Sequence, residues 1–131
     1  MNKILIDTSV IVDFLRRPDR KNTPLYKIAN KHLYISIIVH AELYAGEKIW
    51  EEKAKRLALE KVLSDISILR LTTEISELAG RIKAYTNDIT LADAIIAATA
   101  ISKDLPLATL NIKDFEKIDG LKLFKHYTPI L

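Results

Sequence analysis

Short apolar runs and longer stretches with helical spacing alternate along this chain. The short runs predict buried strands and are bounded by polar residues; they lie at residues 3–6, 32–37, 67–70, 106–110 and 121–124. Apolar residues spaced three or four apart predict helices between them, at residues 9–16, 24–31, 38–45, 47–63, 73–85 and 91–102. Strands that alternate with helices favour an α/β domain with a largely parallel sheet.

The helix predicted at residues 91–102 is apolar on nearly every side, which is typical of a helix buried in the core. Asp93 is its only charged residue. A lone carboxylate on a buried helix is costly unless another group neutralises it. Asp93 is therefore the first candidate for a functional residue.

Three further carboxylates follow predicted strands closely. Asp7 comes directly after the first strand, Glu42 lies on the helix after the second, and Asp114 follows the fourth. In a parallel sheet the carboxyl ends of the strands share one edge, where ligands bind. We expect these three acids to meet Asp93 in one cleft at that edge.

Clustered carboxylates repel one another unless a cation lies among them or one of them takes up a proton. An all-oxygen site without His or Cys favours Mg²⁺ or Mn²⁺ over zinc. Such an ion activates water and stabilises the leaving oxygen of a phosphodiester. The four acids therefore predict metal-dependent phosphoryl hydrolysis.

Each acid also fits a structural role. Asp7 could cap the helix that follows it, and Glu42 could be a solvated helical acid. Thr90 and Asp93 have the spacing of a helix cap with an acid three residues later. Asp114 could cap a short helix or lie in its first turn. The prediction of function depends on the combination of the four.

Thr8 and Ser9 directly follow Asp7. Their hydroxyls could support the metal site, although capping of the first helix is the simpler role.

The composition limits the class of protein. With 131 residues, 49% of them hydrophobic and 28% charged, the chain is expected to fold as one domain and not to be disordered or fibrous. The lack of cysteine excludes a disulfide scaffold and a cysteine nucleophile. The net charge of +3 is compatible with a nucleic-acid partner. Neither a signal-peptide pattern nor a run of about 20 apolar residues is present, so we expect a cytoplasmic protein without a membrane span.

Four segments in order give the sequence a likeness to a known family: ILIDTSVIVDFL at 4–15, SIIVHAELYAG at 36–46, LADAIIAATA at 91–100 and LATLNIKDF at 107–115. With these segments the chain resembles PIN-domain proteins, and more closely the VapC toxins of type II toxin–antitoxin systems. The likeness spans nearly the whole chain, and the ordered set is specific.

The resemblance implies a three-layer α/β/α sandwich with a mainly parallel central sheet, as a single PIN-like nuclease domain over residues 1–131. It also implies an endoribonuclease that depends on Mg²⁺ or Mn²⁺ and acts on RNA. The partners that it implies are a second copy of the chain, in a homodimer, and a VapB-type antitoxin.

The family's site residues transfer by position. Asp7 and Asp93 match acids that coordinate the metal, and Glu42 matches one that binds or orients metal or water. The fourth ligand could be Asn111, Asp114 or a water held by either.

Other functions stay open as alternatives: a PIN-type nuclease of RNA processing or quality control, and a non-catalytic module that binds RNA or protein. A phosphatase or a phosphotransfer receiver is a weaker alternative. Phosphatases with an aspartate nucleophile often carry an acid two residues later, where this chain has Ser9. Receivers commonly carry paired acids near the end of the first strand, and no adjacent pair occurs there.

Overall fold

The structure is a computed structural model that describes residues 2–125; residue 1 and residues 126–131 lie outside that description. Within the described part, the strands are β1 (Lys3–Ile6), β2 (His32–Ser36), β3 (Ser67–Leu69) and β4 (Leu107–Ala108). They form one parallel sheet in the order β3-β2-β1-β4. The parallel sheet predicted from the alternating pattern is thereby confirmed.

The register of β1 and β4 determines what meets at the carboxyl edge of the sheet. Ile6 pairs with Ala108, so the two strands end side by side. Asp7 and Thr109, the next residue of each strand, are therefore neighbours. On the other side of β4, Leu107 forms a parallel bridge with Leu123, inside the segment predicted as the last strand.

Helices connect the strands and complete the α/β sandwich. In chain order they are α1 (Thr8–Arg16), α2 (Pro24–Lys27), α3 (Ile37–Leu43), α4 (Glu47–Glu51), α5 (Lys53–Leu63), α6 (Thr73–Tyr85), α7 (Leu91–Ser102) and α8 (Ile112–Phe115). A single 3₁₀ turn, not predicted from the sequence, covers Arg20–Asn22 in the described chain. Among residues 2–125, no helix has both the length and the apolar character needed to cross a membrane.

The core lies on the central strands and on α7. Residues 4–6 of β1 are buried, and α7 contributes a run of buried residues from Ile96 to Ala100. Four of the α7 residues in the core are alanines, whose small side chains allow close approach of neighbouring backbones. The prediction of a buried helix is confirmed, and Asp93 lies in its first turn.

The helix predicted at residues 47–63 is wrong as a single element, because the backbone is extended at Glu52. The Arg56 guanidinium donates hydrogen bonds to the carbonyls of Ile49 and Trp50, at 3.2 and 3.3 Å. The Arg56 side chain thus satisfies two carbonyls that would accept backbone N–H groups if the helix continued. The result is a bent arm of two helices, α4 and α5.

Other boundaries also differ from the prediction, and two of them bear on the arrangement of the chain. Helix α2 ends at Lys27 instead of residue 31. Strand β4 stops at Ala108, because the N–H groups of Leu110 and Asn111 bond to side-chain hydroxyls instead of a neighbouring strand. These hydroxyls belong to the candidate site.

Candidate functional site

Asp7 lies at the end of β1 and is also the N-cap of α1. Its extended backbone allows Oδ1 to accept a 3.4 Å hydrogen bond from the N–H of Val10. The prediction of Thr8 or Ser9 as the cap is therefore wrong, since both lie within the first turn of the helix. Only 3% of Asp7 is exposed. This burial raises the pKa of its carboxyl, while the hydrogen bonds that it accepts lower it.

Both carboxylate oxygens of Asp7 accept hydroxyl hydrogen bonds. Ser9 Oγ donates to Oδ1 at 2.5 Å, and Thr109 Oγ1 donates to Oδ2 at 2.6 Å. Each hydroxyl in turn accepts a backbone N–H from the loop after β4: Leu110 to Ser9 at 3.0 Å, and Asn111 to Thr109 at 2.9 Å. Asp7 thereby links the start of α1 to that loop.

Asp93 is half-buried at the third position of α7, and its N–H donates to Thr90 Oγ1 at 3.1 Å. The capping arrangement expected from the sequence is thus present. Burial raises the pKa of the Asp93 carboxyl, and a hydrogen bond with the Thr90 side chain partly opposes that effect. The negative charges of Asp7, Glu42 and Asp114 raise the same pKa further. Asp93 therefore lies within the electric field of all three other acids.

Glu42 and Asp114 are the exposed members of the set. Glu42 lies in the last turn of α3, and its Oε1 accepts a 2.7 Å hydrogen bond from Thr8 Oγ1. Asp114 lies in the first turn of α8, and its N–H donates to the Asn111 carbonyl at 3.1 Å. Asn111 occupies the N-cap position of α8 without a side-chain capping bond.

The structure therefore brings the four predicted acids to one edge of the sheet. Thr8 contacts Glu42, and Ser9 contacts Asp7. Sequence reasoning missed Thr109, although it is buried and bonded to Asp7. The apolar pattern gave no signal for it, because Thr109 lies inside the strand predicted at residues 106–110 and its role depends on the register of β1 and β4.

The donors of this cluster suit a hard divalent cation. They are carboxylate and hydroxyl oxygens, the ligands that Mg²⁺ and Mn²⁺ prefer. In residues 2–125, no three His, Cys, Asp or Glu side chains converge closely enough to form a complete ligand group. The cluster fits an ion that takes few protein ligands and keeps several waters, as Mg²⁺ does.

A groove of about 930 Å³ adjoins the acid cluster, and Glu42 belongs to its wall. Its other lining residues come from α1, from the end of α3 and its following turn, from the bent arm α4–α5, and from Arg20. Apolar residues and Gly46 form most of the lining: Val12, Leu15, Leu43, Gly46, Ile49, Ala54, Ala58 and Leu59. The charged lining residues besides Glu42 are Arg16, Arg20, Lys48 and Lys55, with Glu47 as a second acid.

Comparison with known proteins places the chain in a family. The PIN domain family model matches residues 4–121. A curated relative, ribonuclease VapC1 of Rickettsia felis, is 36% identical over 129 residues, which cover 92% of this chain and 93% of the relative.

Solved structures give the same result. The crystal structure of VapBC2 from Rickettsia felis, bound to a DNA fragment from their promoter, contains a chain that superposes with a TM-score of 0.78 and 26% identity, over 93% of this chain and 97% of that one. A toxin–antitoxin complex from Klebsiella pneumoniae matches with a TM-score of 0.66 and 28% identity, over 90% and 94% of the two chains. The resemblance inferred from the four sequence segments is confirmed, and the chain belongs to the PIN-domain family, within its VapC group.

Proposed function

We propose that this protein is a metal-dependent endoribonuclease, the toxin of a VapBC-type toxin–antitoxin system, and that residues 1–131 form one such nuclease domain. The observation that carries the proposal is the position of Asp93, whose pKa is raised by burial and also by the charges of Asp7, Glu42 and Asp114. Acids so arranged favour a divalent cation among them. The membership in the VapC group, in which the Rickettsia relative is named a ribonuclease, supports RNA as the substrate.

The residues divide the work as follows. Asp7 and Asp93 hold Mg²⁺, or Mn²⁺ in its place. The bound ion supplies Lewis-acid activation of water and stabilises negative charge on the phosphodiester. Glu42 orients the attacking water, and the hydrogen bond from Thr8 fixes its carboxylate. Asp114, with Asn111 before it, positions water or a second ion from the start of α8.

Binding of RNA is assigned to the cations beside the acid cluster. Arg16 and Arg20 line the groove that Glu42 also lines, and both are exposed. Cationic side chains position RNA through its phosphates without reading the bases. They are suited to hold the backbone while the acids act on one phosphodiester.

The proposed partners are a VapB-type antitoxin and a second copy of the chain. The Klebsiella structure is a toxin–antitoxin complex, which supports an antitoxin here. We place an apolar segment of that antitoxin in the groove, because Leu15, Leu43 and Ile49 line it. There it would cover Glu42 and the path of RNA. The cytoplasm, where RNA and antitoxin meet, is the proposed compartment.

The test is cleavage of total cellular RNA by the purified protein, with the ends mapped. We expect discrete cuts with Mg²⁺, none with EDTA, and none with Asp93→Asn. Asp119→Asn is the matched control, because Asp119 is an exposed acid in the turn after α8. Cuts that persist in EDTA, or equal cutting by Asp93→Asn, would contradict the proposal. The lack of an antitoxin gene beside the coding sequence would indicate an RNA-processing nuclease with the same site.

A further inference from the structure

Hydrogen bonds within the protein take up most of the bonding capacity of the Asp7 carboxylate. An ionised carboxylate offers about four lone-pair sites, two on each oxygen. Oδ1 accepts from Ser9 Oγ and from the Val10 N–H, so both of its sites are used. Oδ2 accepts from Thr109 Oγ1, and the Ser9 backbone also donates to the carboxylate. Hydrogen bonds from α1 and from the strand end at Thr109 therefore hold both oxygens of Asp7.

The direction of the two hydroxyl protons is determined by backbone amides. Ser9 Oγ accepts the N–H of Leu110, and Thr109 Oγ1 accepts the N–H of Asn111. A hydroxyl has one proton to donate. With each oxygen already accepting an amide, that proton is left to point at Asp7. Thr109 is 2% exposed, so water competes little for its bond.

We propose that Ser9 and Thr109 are positioning residues, which together fix the orientation in which the Asp7 carboxylate would meet a divalent cation. The inference rests on the proposed function, since it concerns the same metal site. Neither hydroxyl contacts substrate in this scheme; both act through Asp7. The loop that supplies the two amides is therefore part of the positioning device.

The same contacts relate Asp7 to the fourth acid. Thr109 bonds to Asp7 and accepts the N–H of Asn111, while the Asn111 carbonyl accepts the N–H of Asp114. Helix α8 thus starts from a loop held against Asp7. Loss of the Thr109 hydroxyl would remove its bond to Asp7 Oδ2 and its bond to the Asn111 N–H. The start of α8, where Asp114 lies, would then be held less firmly against Asp7. Loss of the Ser9 hydroxyl would remove the bond that holds Oδ1 of Asp7.

The competing explanation is that Thr109 only stabilises the fold. A matched control distinguishes the two. Thr99 is also buried, and among residues 2–125 its hydroxyl bonds only to the Ile95 carbonyl within α7. Thr99→Val and Thr109→Val make the same change of hydroxyl to methyl, and only the second touches a carboxylate.

The experiment measures Mn²⁺ binding to the full chain without RNA, by titration calorimetry and by the electron paramagnetic resonance of free Mn²⁺. We expect Thr109→Val to weaken Mn²⁺ binding about tenfold to a hundredfold, as loss of a ligand's hydrogen-bond partner does elsewhere. Thr109→Ser, which keeps the hydroxyl, should restore the affinity, and Thr99→Val should leave it unchanged. Ser9→Ala should weaken binding in the same direction.

Three results would overturn the inference. The first is parental Mn²⁺ affinity in Thr109→Val. The second applies if Thr109→Val fails to fold. In that case, an Mn²⁺ affinity of Ser9→Ala equal to that of the parent would show that the hydroxyls do not position Asp7. The third is equal weakening by Thr99→Val. Failure of the parent protein to bind Mn²⁺ would overturn the proposed function as well, which separates that result from the other three.

Discussion

Thr8 Oγ1 donates a 2.7 Å hydrogen bond to Glu42 Oε1, across 34 residues of sequence. Thr8 begins α1, which leaves β1, and Glu42 lies near the end of α3, which leaves β2. The bond therefore joins the helices that follow the two central strands. It holds an exposed acid in a fixed direction beside the buried Asp7.

Removal of this hydroxyl should affect catalysis more than folding. We expect Thr8→Val to lower RNA cleavage by about tenfold or less, because Glu42 stays in place but is no longer oriented. Thr8→Ser, which keeps the donor, is the control and should retain activity. The measurement is the single-turnover cleavage rate at saturating Mg²⁺. Equal rates for Thr8→Val and the parent, with Glu42→Gln inactive, would show that Glu42 needs no orienting partner.

Asp93→Asn should separate metal binding from helix capping. The change removes the charge of a carboxyl whose pKa is raised by burial and by three neighbouring acids. Because burial and repulsion disfavour that charge, the melting temperature of the metal-free protein should stay the same or rise. RNA cleavage should fall on the order of a thousandfold, equivalent to several kcal/mol of lost stabilisation.

Thr90→Val provides the comparison, because it removes the hydroxyl that caps α7 and should cost about 1 kcal/mol of unfolding free energy. Thermal melts with EDTA measure both variants. A lower melting temperature for Asp93→Asn, with cleavage preserved, would assign Asp93 to capping alone.

In the metal-free protein, the stability that Asp7 and Asp93 contribute should fall as the pH rises. The folded-state pKa values of Asp7 and Asp93 are raised above the ordinary 3.8, so in the window above 3.8 the folded state binds more protons than the unfolded state. The contribution of these two groups therefore falls as the pH passes through their raised pKa values and stays low above them. Mg²⁺ competes with those protons, so its stabilising effect should grow with pH.

Melting curves across that window, with EDTA and with Mg²⁺, measure the effect. The relevant quantity is the difference in melting temperature between the parent and the Asp7→Asn/Asp93→Asn double variant. Asp19, whose pKa is lowered by Arg17, makes stability change with pH in the opposite direction, but it does so in both proteins and cancels in the difference. A difference that does not change with pH would contradict the prediction.

Filling the groove should release the antitoxin without damage to the acids. Ala54 is exposed on α5 and lines the groove, so Ala54→Arg puts a long charged side chain where the antitoxin segment is proposed to lie. We expect at least about a tenfold weaker antitoxin affinity, or roughly 1.4 kcal/mol. Mg²⁺ binding should stay unchanged, because none of the four acids is altered. Ala84→Arg, at an exposed position of α6 outside the groove, is the control. Unchanged antitoxin affinity in Ala54→Arg would place the partner elsewhere.

The meeting of Asp7 and Asp93 could be predicted from the sequence, because it follows from two general rules. Parallel strands end at a shared edge, and a charge on an apolar helix needs a partner. Thr109 could not be predicted in the same way, because its role depends on the register that pairs Ile6 with Ala108. Periodicity locates strands but does not give their relative shift.

The errors at element boundaries have the same origin. The break at Glu52 depends on Arg56, which bonds to carbonyls of the preceding helix and leaves no trace in the apolar spacing. The early end of β4 depends on amides that bond to Ser9 and Thr109. In each case a long-range or side-chain hydrogen bond overrides the local pattern.

The double role of Asp7, as helix cap and as candidate ligand, has a genetic consequence. Asparagine caps helices as well as aspartate does but lacks the negative charge. Every aspartate codon becomes an asparagine codon by one transition. If the proposed function holds, a lineage harmed by this protein is therefore a single nucleotide change away from a copy that keeps a capping side chain at position 7 and lacks its charge.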